Sequence, residues 1–167
     1  MKKELILLDI INIVTYMDEL SVEKKNSIPV KAYYGIKRAI DKMRPIKEQF
    51  DGIRDERLEA LKTHYFIDKN TFECDIPQTN NMGEEMKDEN GNVIMTKGRK
   101  LKDEFIEEYQ ADVNKLSEEL QKLLMEKTTL EYDYVDIGEM VSNMSDDTPL
   151  QNTDLDILDY IFSNPVE

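Results

Sequence analysis

Between Pro29 and Tyr65 the apolar residues Ile36, Ile40, Met43, Ile46, Phe50, Ile53, Leu58, Leu61 and Tyr65 recur at steps close to heptad spacing. A second series, Leu101, Phe105, Tyr109, Val113, Leu116, Leu120 and Leu123, runs from about Lys100 to Lys127. Residues three and four apart share a face of an α-helix, so each series predicts one long helix with an apolar stripe. Two long stripes in one chain must be covered, and an antiparallel helical hairpin covers both. Pro29 suits the first turn of its helix, where its missing N–H costs nothing. Pro45 lies inside the same series, removes the backbone bond to Asp41, and predicts a kink or a break. Gly52 weakens the helix further.

The remaining segments add smaller elements. Ile6, Ile10, Ile13, Met17 and Leu20, with Leu7, Ile11 and Val14 beside them, predict an N-terminal helix from about Lys3 to Leu20. The stretch "SVEKKNSI" breaks that period and reads as a loop. Residues 68–98 are polar and hold three of the six glycines. Asn90-Gly91 within them predicts a two-residue turn with both central residues at positive φ, and so a mobile β-hairpin or loop at the tip of the helical pair. "LEYDYVDIG" is rich in Tyr, Val and Ile and reads as a strand or extended segment. Thr148-Pro149-Leu150-Gln151 resembles a capping box ahead of a short helix carrying Leu155, Leu158, Ile161 and Phe162. No internal repeat is evident. The expectation is a mainly α fold: an antiparallel long-helix hairpin, an N-terminal helix, a small β-hairpin at the tip, and a short C-terminal strand and helix. It is read as a single domain over 1–167, made of N-terminal helices (1–66), a hairpin insertion (67–99), a long helix (100–130) and an acidic C-terminal segment (131–167).

Composition narrows the class. Apolar residues make up 40% and charged residues 35%, too apolar for a disordered chain and rich enough in charge for exposed helices. The single cysteine, Cys74, excludes an internal disulfide and fits a reducing compartment. "MKKELILLDI" begins like a signal peptide, but Asp9, Asn12, Asp18 and Glu19 intrude before any cleavage site. No stretch approaches the roughly 18 apolar residues of a membrane helix.

Recognisable catalytic devices are missing. His64 and Cys74 are the only residues of their kinds, and neither sits in an orienting motif, so a surface histidine and a half-buried small hydrophobe are the plainer readings. Setting Gly91 at the sixth position of a calcium loop puts Met86 first and Lys97 twelfth, where oxygen ligands are required. Glu104, Glu107 and Glu108 read as a solvated helix face. Glycine-rich phosphate loops are absent. The expectation is therefore no catalytic residues, no metal and no cofactor.

Charge is the most uneven feature. The net charge is −14, yet residues 131–167 carry ten acids and not one lysine or arginine. Against them stands a basic stripe of Lys31, Lys37, Arg38, Lys42, Arg44 and Lys47, interrupted only by Asp41. Two readings follow. The acidic segment folds over the stripe and neutralises it, or it stays exposed and presents carboxylates to a basic partner. In "EYDYVDI", strict alternation would leave neither face cleanly apolar. That suits a partner surface, with tyrosines supplying area and carboxylates supplying steering. The candidate partner-binding residues are Tyr132, Asp133, Tyr134, Asp136, Glu139, Asp146 and Asp147. Nucleic acid is not an expected direct partner, because the overall charge repels phosphates, and no membrane contact is expected.

The order "IPVKAYYGIKRAIDKMRPIKEQFDGIRDERLEALK", then "KDENGNVI", then an acidic helix, then "EYDYVDI" and a short last helix resembles a family of small proteins encoded by tailed bacteriophages. The likeness covers most of the chain in order and character. It departs from the family in a longer segment 68–86 and in an extra "LQN" before the last helix. It implies a phage origin and a binding role, and it carries over no catalytic residues. The expected function is that of a non-enzymatic accessory or inhibitor protein engaging a host protein in the bacterial cytoplasm. The alternative is a virion or assembly component that self-associates through its long helices, and an enzyme of unrecognised type is the third.

Overall fold

The computed structural model describes residues 2–145 and 147–163. In chain order the elements are β1 (Lys2–Ile6), α1 (Leu7–Glu19), α2 (Val22–Ser27), α3 (Val30–Tyr65), a 3-10 turn (Asp68–Asn70), β2 (Thr71–Pro77), β3 (Met95–Leu101), α4 (Asp103–Leu124), β4 (Lys127–Glu131), α5 (Ile137–Ser142) and α6 (Asn152–Phe162). The fold is mainly α, with two antiparallel strand pairs, β1 with β4 and β2 with β3. The chain divides into two compact units, Met1–Ile53 with Leu120–Glu167, and Arg54–Glu119.

In the first unit, β1 and β4 pair from Lys2 opposite Glu131 to Ile6 opposite Lys127. The expected helix from Lys3 is corrected here. Its first four residues form a strand, because β4 offers a backbone ladder, and the helix begins at Leu7. The expected loop after it holds the short helix α2, capped by Ser21, whose hydroxyl accepts from the Lys24 N–H at 3.2 Å. α3 is continuous through Pro45, so of the expected kink or break the break does not occur. The unit's core joins Ile10, Ile13, Val14 and Met17 of α1, Ile36, Ala39, Ile40 and Met43 of α3, and Leu158, Ile161 and Phe162 of α6.

The acidic segment belongs to that core. Tyr132, Val135, Ile137, Met140 and Leu150 are all buried among these residues. β4 ends at Glu131 and "YDYVD" continues as irregular chain, so the strict alternation expected of "EYDYVDI" does not hold. Inward residues instead fall at 132, 135, 137 and 140. The helix cap is shifted as well. α6 is capped through Asp154, whose carboxylate accepts from the Gln151 N–H at 2.8 Å, three residues beyond the expected box.

In the second unit, Tyr65 is almost wholly buried and its hydroxyl donates to Asp112 at 2.6 Å. Tyr109 lies edge-on to both Tyr65 and Phe66, at 5.2 and 5.4 Å between ring centres. β2 and β3 pair from Thr71 opposite Leu101 to Pro77 opposite Met95. The turn between them is not the one expected. Gly91 has φ 82° but Asn90 does not enter positive φ. Asp88 closes the turn, its Oδ1 accepting from the N–H groups of Asn90 and Asn92, both at 2.9 Å. A second turn repeats the design eight residues earlier, with Asn80 Oδ1 accepting from Met82 and Glu84, and Gly83 at φ 81°. Between the turns, Gln78 N–H bonds to Ile94 O, Ile94 N–H to Met86 O and Met86 N–H to Gln78 O, each at 2.8 Å. These three bonds close a ring of backbone links at eight-residue intervals. The segment is thus a small repeat, which the sequence reading missed.

Candidate functional site

The site is built by the residues that anchor the acidic segment. Tyr132 points inward, its hydroxyl donating to Ile161 O at 2.6 Å and its ring edge-on to Phe162. The Val135 N–H bonds to Phe162 O at 3.4 Å. Val135 also needs Gly35 of α3, because a Cβ there would lie 2.9 Å from Val135 Cγ2. Helix and segment therefore approach more closely than a side chain at position 35 would permit. Asp136 caps α5, its carboxylate accepting from the Glu139 N–H at 2.8 Å. With Tyr132, Val135 and Ile137 held inward, Asp133, Tyr134, Asp136 and Glu139 are left facing solvent.

Those four residues line one groove of about 360 Å³, together with Lys31, Ala32 and Tyr34 of α3 and Met140 of α5. Tyr34 and Tyr134 present their rings there at 62% and 46% exposure. The Tyr134 phenol is held above its ordinary pKa, first by partial burial, then by the Asp136, Asp159 and Glu139 carboxylates. The groove thus brings two tyrosines and three carboxylates together with one lining cation, Lys31.

The basic stripe meets this surface only in part. Arg38 pairs with Asp133 at 2.9 Å, Lys31 with Glu139 at 3.8 Å, and Lys42 Nζ donates to the Glu131 carbonyl at 2.7 Å. Arg44 instead forks onto Asp18 with two bonds of 2.7 Å, and Lys47 pairs with Asp51 one helical turn away. The two ion pairs that the stripe makes with the acidic segment join side chains at least half exposed. Pairs of that kind contribute at most about 1 kcal/mol.

Of the predicted partner-binding residues, Asp133, Tyr134, Asp136 and Glu139 are brought together. Tyr132 is corrected: it is a core residue and offers no surface. Asp147 is exposed and is not among the groove's lining residues. Asp146 lies outside the described residues. The sequence reading missed Tyr34 and Met140, although Tyr34 follows the Pro29 helix start by five residues and could have been placed on the first exposed turns of α3.

A second polar cluster went unread altogether. Asp154, 5% exposed, accepts from Tyr16 OH at 2.6 Å, Lys24 Nζ at 2.7 Å and the Gln151 N–H at 2.8 Å. Burial alone would raise its pKa. The Gln151 N–H, Lys24 and Tyr16 outweigh burial and hold the carboxyl below its usual range.

Among the described residues, no group of three His, Cys, Asp or Glu side chains is placed to hold a metal ion, and no helix is long and apolar enough to cross a membrane. No protein-family model, curated protein or solved structure matches this chain.

Proposed function

We propose that this is a non-enzymatic, phage-encoded protein-binding protein, an accessory or inhibitor acting in the host bacterial cytoplasm, whose groove takes a basic surface of a host protein. One observation carries the reading: Asp133, Tyr134, Asp136 and Glu139 converge on a single groove. Their internal cations are exposed and weakly held, so an arriving lysine or arginine exchanges with them at little cost. The phage affiliation rests on the sequence resemblance. The same reading takes α3 and α4 as an antiparallel hairpin, supported by the meeting of Tyr65 with Tyr109 and Asp112.

The test replaces Asp133 and Asp136 by Asn and Glu139 by Gln together. A basic host protein captured by the parent from infected cells should associate more slowly with the triple variant, with a shallower dependence on salt. Unchanged association combined with a lower melting temperature in low salt would show that these acids serve only to neutralise α3.

A further inference from the structure

Tyr34 and Arg38 lie four residues apart on α3, so they share one face of that helix. The acidic segment runs close beside this face, because Gly35 leaves room for Val135. Asp133 is thereby brought within reach of Arg38. The Arg38 guanidinium pairs with Asp133 at 2.9 Å and lies over the Tyr34 ring, 5.7 Å from its centre. Tyr34 and Asp133 both line the groove, one from α3 and the other from the acidic segment. This surface already holds a guanidinium, between a tyrosine ring and a carboxylate.

Other cations of the stripe are employed differently. Lys42 reaches the Glu131 carbonyl, Arg44 forks onto Asp18, and Lys47 pairs with Asp51. Lys31 meets Glu139 only at 3.8 Å, with its side chain 90% exposed. The Tyr34–Asp133 pair suits arginine for a physical reason. A guanidinium is planar and weakly hydrated, stacks on aromatic rings and forks onto carboxylates, whereas an ammonium is a compact, strongly hydrated charge. The Arg38 and Asp133 side chains are each about half exposed, so water and salt screen the pair and it opens readily.

Taking the groove as the binding site proposed above, we propose that Arg38 is its internal occupant. Its guanidinium holds the place that an arginine side chain of the partner takes, and the partner's arginine displaces it. The groove then prefers arginine to lysine, because Tyr34 and Asp133 together match a guanidinium. Its affinity lies below what the same residues could give, because binding requires the Arg38 contacts to open.

The test is an NMR titration of the full chain with a blocked tetra-arginine peptide and with its tetra-lysine counterpart, in low salt. Shifts should centre on Tyr34, Asp133 and their neighbours, and the arginine peptide should bind more tightly. Arg38→Gln should tighten it about threefold to tenfold, the range to which one exposed ion pair and one exposed cation–π contact convert. Arg44→Gln removes the same charge from the same helix and should leave the affinity nearly unchanged. Arg38→Lys keeps the charge but not the planar fork, so it should give a smaller gain, and it decides alone if the glutamine variant melts lower than the parent. Equal tightening by Arg44→Gln would reduce the effect to net charge and overturn the proposal. Binding at the groove that Arg38→Gln leaves unchanged or weakens would overturn it too, while the groove itself stands as a binding site. The absence of shifts at the groove with either peptide, in parent and variants alike, would overturn both.

Discussion

Replacing Asp154 by Asn tests the most heavily used buried polar group in the first unit. The side chain is 5% exposed and accepts three bonds of 2.6–2.8 Å, from Tyr16, Lys24 and the Gln151 N–H. Asparagine keeps the size but loses the charge, and its amide must point N–H groups at one of three donors. Breaking a buried ion pair by removing one partner costs about 3–5 kcal/mol. The Lys24 side chain is 28% exposed and regains some water, which places the loss near the lower end, about 3 kcal/mol. For a chain of this size that is a fall in melting temperature of roughly 6–12 °C. The pH dependence gives an independent check. The carboxyl's pKa is lowered in the fold, so its stabilisation is present above the unfolded value near 4 and lost as pH falls through the folded value. Urea unfolding of parent and variant should therefore differ by about 3 kcal/mol at neutral pH and converge on acidification below about pH 4. A neutral-pH difference below about 1 kcal/mol, or a gap that stays constant into strong acid, would refute the reasoning.

Two glycines of α3 should respond in opposite directions. Gly35→Ala forces Val135 aside and should cost about 1–3 kcal/mol, whereas Gly52→Ala, with nothing within 4 Å of the new methyl, should add about 0.5–1 kcal/mol; thermal melts of the two variants check the sign. Leu116→Asp places a carboxylate at a buried position of the second unit and should cost roughly 3 kcal/mol in urea unfolding, an expectation lost if it melts with the parent.

What could be read in advance followed from periodicity. The two long stripes became α3 and α4, and a β-hairpin lay between them, because a repeat sustained over many turns leaves little room for another structure. The failures have particular causes. "KKELILLDI" is apolar enough to satisfy a strand or a helix, and the choice was made by Lys127–Glu131, which no local pattern connects to it. Pro45 was expected to kink or break α3, and of the two the break does not occur, since the helix runs on through it. The two Asx turns show Asn80 or Asp88 followed three residues later by a glycine, a legible signal once the glycine, rather than the Asn-Gly pair, is taken as the left-handed position. In the candidate site the cluster of acids was legible, but the role of Tyr132 was not. Inward positions at 132, 135, 137 and 140 follow neither a strand nor a helix.

That irregular spacing bears on why one end of the chain holds so much charge. The described acids of residues 131–163 do not form a detached tail, since Tyr132, Val135, Ile137, Met140, Leu150, Leu158, Ile161 and Phe162 are interleaved with them and complete the first unit's core. Each inward residue fixes the direction of its acidic neighbours, so the carboxylates are positioned by packing rather than by pairing. Asp154 is the exception, turned inward and met by Tyr16, Lys24 and a backbone N–H. Of the outward acids, Asp133 and Glu139 meet the exposed cations Arg38 and Lys31. Charge that served stability alone would be expected to follow the pattern of Asp154. Under the proposed binding role, charge turned outward beside Tyr34 and Tyr134 is set for a basic surface, and a partner would meet it without the entropic cost of ordering a flexible acidic tail.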